Sequence, residues 1–145
     1  MKILLIFIWI YGAMIATAFW EAYVEGRNAW DRGKLGWKLK IGKYTVLTAY
    51  HFSIFGVMWP LLLTLPFIIF YWDTKMFGVV LSAFFSGTVI EDFTWYLVNP
   101  VVKVSELSTD FANYYPRVSI GKYKIPLNYF IGIGLALLSW LFFWK

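Results

Sequence analysis

The sequence predicts an all-α integral membrane protein, a four-transmembrane-helix bundle of two repeated helical hairpins with short β-hairpins at the cytoplasmic interface. Three observations carry that prediction. The chain of 145 residues is 61% hydrophobic and only 14% charged, more apolar surface than a soluble domain of this size can hide. Four of its stretches are long enough to cross a hydrocarbon core of about 30 Å, which needs roughly 20 helical residues. Its basic residues collect in the connections between those stretches, where orientation in the bilayer and anionic headgroups account for the +5 net charge without nucleic acid.

The spans fall at about 3–24, 44–72, 76–99 and 126–144, in a single membrane domain. The first invites a signal-peptide reading, with Lys2, an apolar run and "ATA" at Ala16 to Ala18. Bulky Phe7, Trp9 and Tyr11 suit a permanent helix instead. The second is longer than a crossing requires and holds Pro60 and Pro66, so a tilted or kinked helix is expected there. Gly132 and Gly134 in the fourth read as helix-packing contacts.

Four spans put the connections 25–43 and 100–125 on one side. Arg27, Arg32, Lys34, Lys38, Lys40 and Lys43 lie in the first, and Lys103, Arg117, Lys122 and Lys124 in the other. Only Lys2, Lys75 and Lys145 lie opposite, so both termini are expected on the non-cytoplasmic side. The two connections also resemble each other: "IGKYTVLTAY" begins at Ile41 and "IGKYKIPLNY" at Ile120, with Tyr50 and Tyr129 at the same offset. Two hairpins repeated in parallel would produce that match. Apolar–polar alternation about each Gly-Lys pair predicts a two-residue β-turn with glycine at positive φ. The strands would then pair into a small cap over the bundle; two similar amphipathic loops are the alternative.

Four of the eight acidic residues, Glu21, Glu25, Glu91 and Asp92, fall within or at the edge of a span. A charge at mid-bilayer costs roughly 2.5–3.5 kcal/mol on insertion scales, so such groups face the bundle interior and have partners. Counting from the basic connections at 1.5 Å per residue places Glu21 roughly 9 Å inside and His51 and Glu91 roughly 12 Å inside. Three helices thus deliver ionisable groups to the cytoplasmic third of the membrane. Glu21, Glu25 and Asn28 form one stripe if the first helix continues past Gly26, and Asp92, Tyr96 and Asn99 form another, while Glu91 pairs with Trp95. Glu91 and Asp92 sit about 100° apart around the axis and cannot both point the same way; one would enter the site while the other binds a neighbouring helix or snorkels.

These groups define a candidate site: Glu91, Asp92, Glu25, Glu21 and His51 for acid–base chemistry, with Asn28, Trp95, Tyr96 and Asn99 about the substrate. The plainer reading is polar glue, carboxyls paired with Asn28, His51 or Arg27 to stitch helices together. His51 is the single histidine, able to serve as counter-ion, general acid or metal ligand. No cofactor is required, although Glu21, Glu25, His51 and Glu91 would be the ligands of a divalent metal. The Glu-x-x-His spacing of di-metal bundles is absent. Trp30, Trp37, Trp72 and Trp144 lie at span edges, as an interfacial belt requires. With no cysteine, disulfides, thiolate metal sites and cysteine nucleophiles are excluded. No phosphate loop, nucleophile elbow or zinc-binding motif is present.

"PFIIFYWD" at Pro66 to Asp73, followed by "EDFTW" at Glu91 to Trp95, resembles the small membrane lycopene cyclase domains of the heterodimeric type. Those domains carry a span ending in Pro and Trp-Asp, then a span with paired acids and aromatics. The resemblance covers about a third of the chain and implies acid-initiated isoprenoid cyclisation, with Glu91 and Asp92 as candidate acids. The residues themselves support three readings. One is an intramembrane enzyme doing acid–base chemistry on an apolar lipid or isoprenoid, with Glu91 as the acid. Another is a non-catalytic accessory subunit of a homo-oligomer or larger membrane complex. The last is proton or divalent-cation translocation, for which the non-cytoplasmic halves offer little beyond Thr64 and Ser86.

Overall fold

The computed structural model describes residues 2–41, 45–109, 111, 116–121 and 123–145. Its elements run α1 (Ile3–Glu25), β1 (Lys38–Ile41), β2 (Thr45–Thr48), α2 (Ala49–Phe70), α3 (Thr74–Val98), a 3₁₀ turn (Val104–Ser108), β3 (Arg117–Ile120), β4 (Tyr123–Pro126) and α4 (Leu127–Trp144). All four α-elements are long and apolar enough to cross a membrane. Their outward faces carry bare hydrophobic side chains, with Trp9 81% and Phe142 78% exposed. Contiguous apolar surface on that scale calls for lipid rather than water around the bundle.

Helix α3 lies between α1 and α4 and packs along both. Hydroxyls stitch it to its neighbours: Ser82 donates to the Ala136 carbonyl at 2.7 Å, Ser139 to the Gly78 carbonyl at 2.9 Å, and Tyr11 and Ser86 share a 2.8 Å bond. Such contacts are worth on average about 0.6 kcal/mol each. Helix α2 rests on the bundle through Ile54, Trp59 and Phe67, which pack with Ile10, Met14, Val80 and Ala83.

The proline effect in α2 takes a specific form. Residues Phe52–Met58 wind as a π-helix, and the Trp59 N–H reaches back five residues to the Ile54 carbonyl. Pro60, directly after, has no N–H to give, and the wider turn absorbs the mismatch. Thr64 donates its hydroxyl to the Pro60 carbonyl at 2.7 Å, so it serves its own backbone rather than any polar route. The helix starts at Ala49, not near residue 44, because Thr45–Thr48 is a strand.

Two β-hairpins are present, in two separate two-stranded sheets rather than one cap. Ile120 pairs with Tyr123, leaving a two-residue turn with Gly121 at φ 60°, as the alternation predicts. Ile41 pairs with Thr45, so three residues intervene in the first hairpin, and that turn, residues 42–44, lies outside the described residues. Both hairpins close onto the following helix with an equivalent bond, Ala49 N–H to Trp37 O and Leu127 N–H to Pro116 O, each 2.9 Å.

The glycines of α4 divide. A Cβ on Gly132 would meet Val89 Cγ2 at 2.8 Å and the Phe85 carbonyl oxygen at 3.0 Å, whereas one on Gly134 would meet nothing within 4 Å. Gly134 is therefore not a packing contact. Gly132→Ala should destabilise the protein by about 1–3 kcal/mol through overpacking against α3, and Gly134→Ala should be neutral. Reversible unfolding in mixed micelles checks the pair.

Candidate active site

Helix α1 ends at Glu25 because Gly26 turns to φ 55° with its N–H on the Ala22 carbonyl. The stripe continuing to Asn28 is thereby broken. Beyond the turn, Arg27 pairs with Glu106 at 2.8 Å and donates to the Val101 carbonyl. Its guanidinium holds the Glu106 carboxyl below the usual carboxylate range. Arg27 is thus spent on the loop after α3 and does not pair with the buried acids. Asn99 fastens the same corner: its amide donates to the Gly26 carbonyl at 2.9 Å, and its Oδ1 accepts from the Val101 and Val102 N–H groups at 3.0 Å. It clamps the helix ends together.

The clamped ends of α1 and α3 and the start of α2 enclose a cavity of about 50 Å³. Glu21, Glu25, His51, Glu91, Asp92 and Trp95 line it, joined by Trp30 and Phe55. All five ionisable residues proposed from the sequence therefore share one chamber. Its depth differs from expectation on one side: His51 is the third residue of α2, not eight residues into a span. The chamber consequently sits at the mouth of the bundle. Met14, Ala18 and Ala83, each fully buried, close the bundle interior beneath it.

Each acid has a distinct environment. Glu25 Oε1 lies 2.8 Å from the Lys34 ammonium and 3.7 Å from His51 Nε2, while the Trp95 indole N–H faces the same carboxyl. Asp92 accepts a 2.6 Å bond from the Tyr129 hydroxyl of α4, so it bridges helices. Glu91, one residue earlier and about 100° around the helix, turns instead toward α1. There the Glu91 and Glu21 carboxyls face one another, with the Tyr50 hydroxyl beside Glu21. Both are buried, and each keeps one oxygen, Oε1, with no hydrogen-bond partner among the described residues, as does Glu25 despite its 2.8 Å ion pair with Lys34. Two acceptors facing each other are satisfied by a shared proton, a cation or a bridging water.

His51 is set by its own helix start. Thr48 caps α2 by accepting the His51 N–H at 3.2 Å, and its hydroxyl also lies 2.8 Å from Nδ1, which aims Nε2 at Glu25. Trp30 stacks on the imidazole at 4.2 Å and holds φ 60°, a conformation a bulky side chain adopts at a cost on the order of 1–3 kcal/mol. Its ring forms part of the chamber wall. Tyr96 lies elsewhere, buried in an apolar cluster with Ala18, Ala22 and Val102. Asn28 is exposed, and its carbonyl accepts from Lys34 at 2.8 Å.

Lys34, Trp30 and Tyr50 also touch the chamber's ionisable groups, which the sequence pattern does not indicate. Lys34 and Trp30 arrive from an irregular connection with no periodicity to assign a facing. Tyr50 stood out only as half of a repeated tyrosine. For a metal, Glu21, Glu25 and His51 are the residues placed to ligate, one donor atom of each lying within 4.8 Å of the others. A carboxylate–imidazole set suits borderline divalent ions. Lys34, however, already neutralises Glu25, and Glu91 stands outside that trio, against Glu21.

Comparison with family models, with curated proteins and with solved structures returns no match. The chemistry must be read from the chamber itself. The Lys34–Glu25 pair is its fixed point, with side chains 10% and 5% exposed. Lys34→Gln should cost on the order of 3 kcal/mol by leaving a buried carboxylate unpaired, and adding Glu25→Gln should recover most of that loss. Denaturation of the single and double variants measures the coupling.

Proposed function

We propose that this protein is a multi-pass integral membrane enzyme performing acid–base chemistry on an apolar lipid or isoprenoid. The observation that carries the reading is the Glu21–Glu91 pair: two facing carboxyls from different helices, buried, each with an oxygen lacking a donor. A shared proton satisfies that geometry and is a proton available for transfer. Glu91 is the donor, Glu21 holds the proton between turnovers, and the Lys34-paired Glu25 keeps His51 oriented. Asp92, bonded to Tyr129, is a positioning residue. An isoprenoid alkene as substrate also accords with the resemblance to lycopene cyclase domains, whose chemistry starts by protonating a carbon–carbon double bond. Translocation is disfavoured by the apolar plug of Met14, Ala18 and Ala83 beneath the chamber.

In the bilayer, the chamber lies at the cytoplasmic interface and both termini lie opposite, since the basic connections surround it. The absence of cysteine makes this directly measurable. Leu35→Cys, in the exposed first connection, should react with an impermeant maleimide only after cells are permeabilised. Lys2→Cys should react in intact cells.

The catalytic assignment is tested by Glu91→Gln, which keeps the shape of the side chain. Lipid extracts of cells producing the natural chain should contain a converted lipid that falls at least about 100-fold with the folded variant. An unchanged lipid profile overturns the assignment. Stoichiometric co-purification with other membrane proteins, whose activity is untouched by the variant, would establish the accessory-subunit reading instead.

A further inference from the structure

Beside the chamber, a second and larger space opens between the end of α1 and the start of α2, with a volume of about 800 Å³. That lies within the range of small-molecule sites, roughly 300–1,000 Å³. Its lining changes character along its length. Trp20 and Val24 of α1 and Ile54 and Met58 of α2 form one end, and Asn28, Arg32 and Lys34 of the connection form the other. Met58 is nine residues beyond Ala49, so the apolar end reaches roughly 13 Å along α2 at 1.5 Å per residue. No carboxylate lines the groove among the described residues. The polar end is therefore cationic, in a protein whose chamber next door holds four acids.

The two spaces share walls. Lys34 borders the groove and also contacts Glu25, using one N–H toward that carboxylate and one toward the Asn28 carbonyl. An ammonium carries three donors, so one remains for a ligand. Tyr50 turns its ring toward Trp20 and Lys34, at 6.4 and 5.3 Å, and its hydroxyl toward Glu21 in the chamber. Tyr50 thus borders the groove with its ring and Glu21 with its hydroxyl.

We infer that this groove binds a membrane lipid bearing a phosphate-monoester headgroup. The phosphate sits against Arg32, whose guanidinium lies over the Phe111 ring at 5.5 Å, and against the third donor of Lys34, which also neutralises Glu25 behind it. The chain runs along Trp20, Ile54 and Met58 toward the bilayer centre, as its own amphiphilicity requires at an interface. Its first carbons lie over Tyr50. The inference that this lipid is the substrate class rests on the proposed acid–base reading; the binding itself does not.

The test uses the full-length protein in nanodiscs and follows quenching of its tryptophan fluorescence by brominated-chain lipids. Brominated phosphatidic acid should be preferred over brominated phosphatidylcholine of the same chains by at least 5-fold. Arg32→Gln should abolish that preference, Arg32→Lys should keep most of it, and Trp20→Phe should remove most of the specific quenching. Met58→Trp, which fills the apolar end, should weaken binding about as much as Arg32→Gln. Inorganic phosphate at millimolar concentration should not displace the lipid, because the chain is part of the recognition. Equal quenching by both lipids, or a preference indifferent to Arg32 and Met58, overturns the inference. Glu91→Gln should leave the lipid preference intact: if it does while lipid conversion is also unchanged, the catalytic reading fails and the groove stands.

Discussion

Removing carboxyl groups from water is the constraint on which this architecture depends. Three glutamates are buried at the mouth of an otherwise apolar bundle, and each unpaired charge there would cost several kcal/mol. The fold meets that cost unevenly. Lys34 neutralises Glu25 and Tyr129 satisfies Asp92, yet Glu21 and Glu91 are left facing each other.

The helix ends make that arrangement rigid. Gly26 stops α1 immediately after Glu25, and Asn99 stops α3 before Pro100 while binding the Gly26 carbonyl. The first β-hairpin then delivers Thr48 as the cap of α2, so His51 enters the chamber within the first helical turn. Each of these terminations removes freedom from a charged side chain that would otherwise snorkel to the interface. The connection after α1, folded back over the opening, supplies Lys34 and the strained Trp30 as walls.

The chamber, at about 50 Å³, holds little more than a water or an ion, so it cannot enclose a lipid. The adjoining groove, at about 800 Å³, is far larger and grades from apolar to basic along its length. Tyr50 and Lys34, which belong to both spaces, are where binding and proton transfer would communicate.

Much of the architecture is determined by sequence because it follows from length, polarity and turn chemistry. The four apolar helices, the β-alternation around Gly121 and the recurrence of acids at helix ends are all one-dimensional patterns with direct physical consequences. The angle between Glu91 and Asp92 follows in the same way, since helical periodicity alone forbids a common direction. Both line the chamber, and what tertiary structure decided was their partners, the Tyr129 hydroxyl for Asp92 and the Glu21 carboxyl for Glu91. Tertiary structure likewise selected Lys34 over Arg27 as the buried cation, shortened the approach of His51 by making Thr45–Thr48 a strand, and drew Trp30 from the interface into the wall. All of these depend on irregular connections, where no repeating geometry ties a residue's place in the chain to the direction it faces.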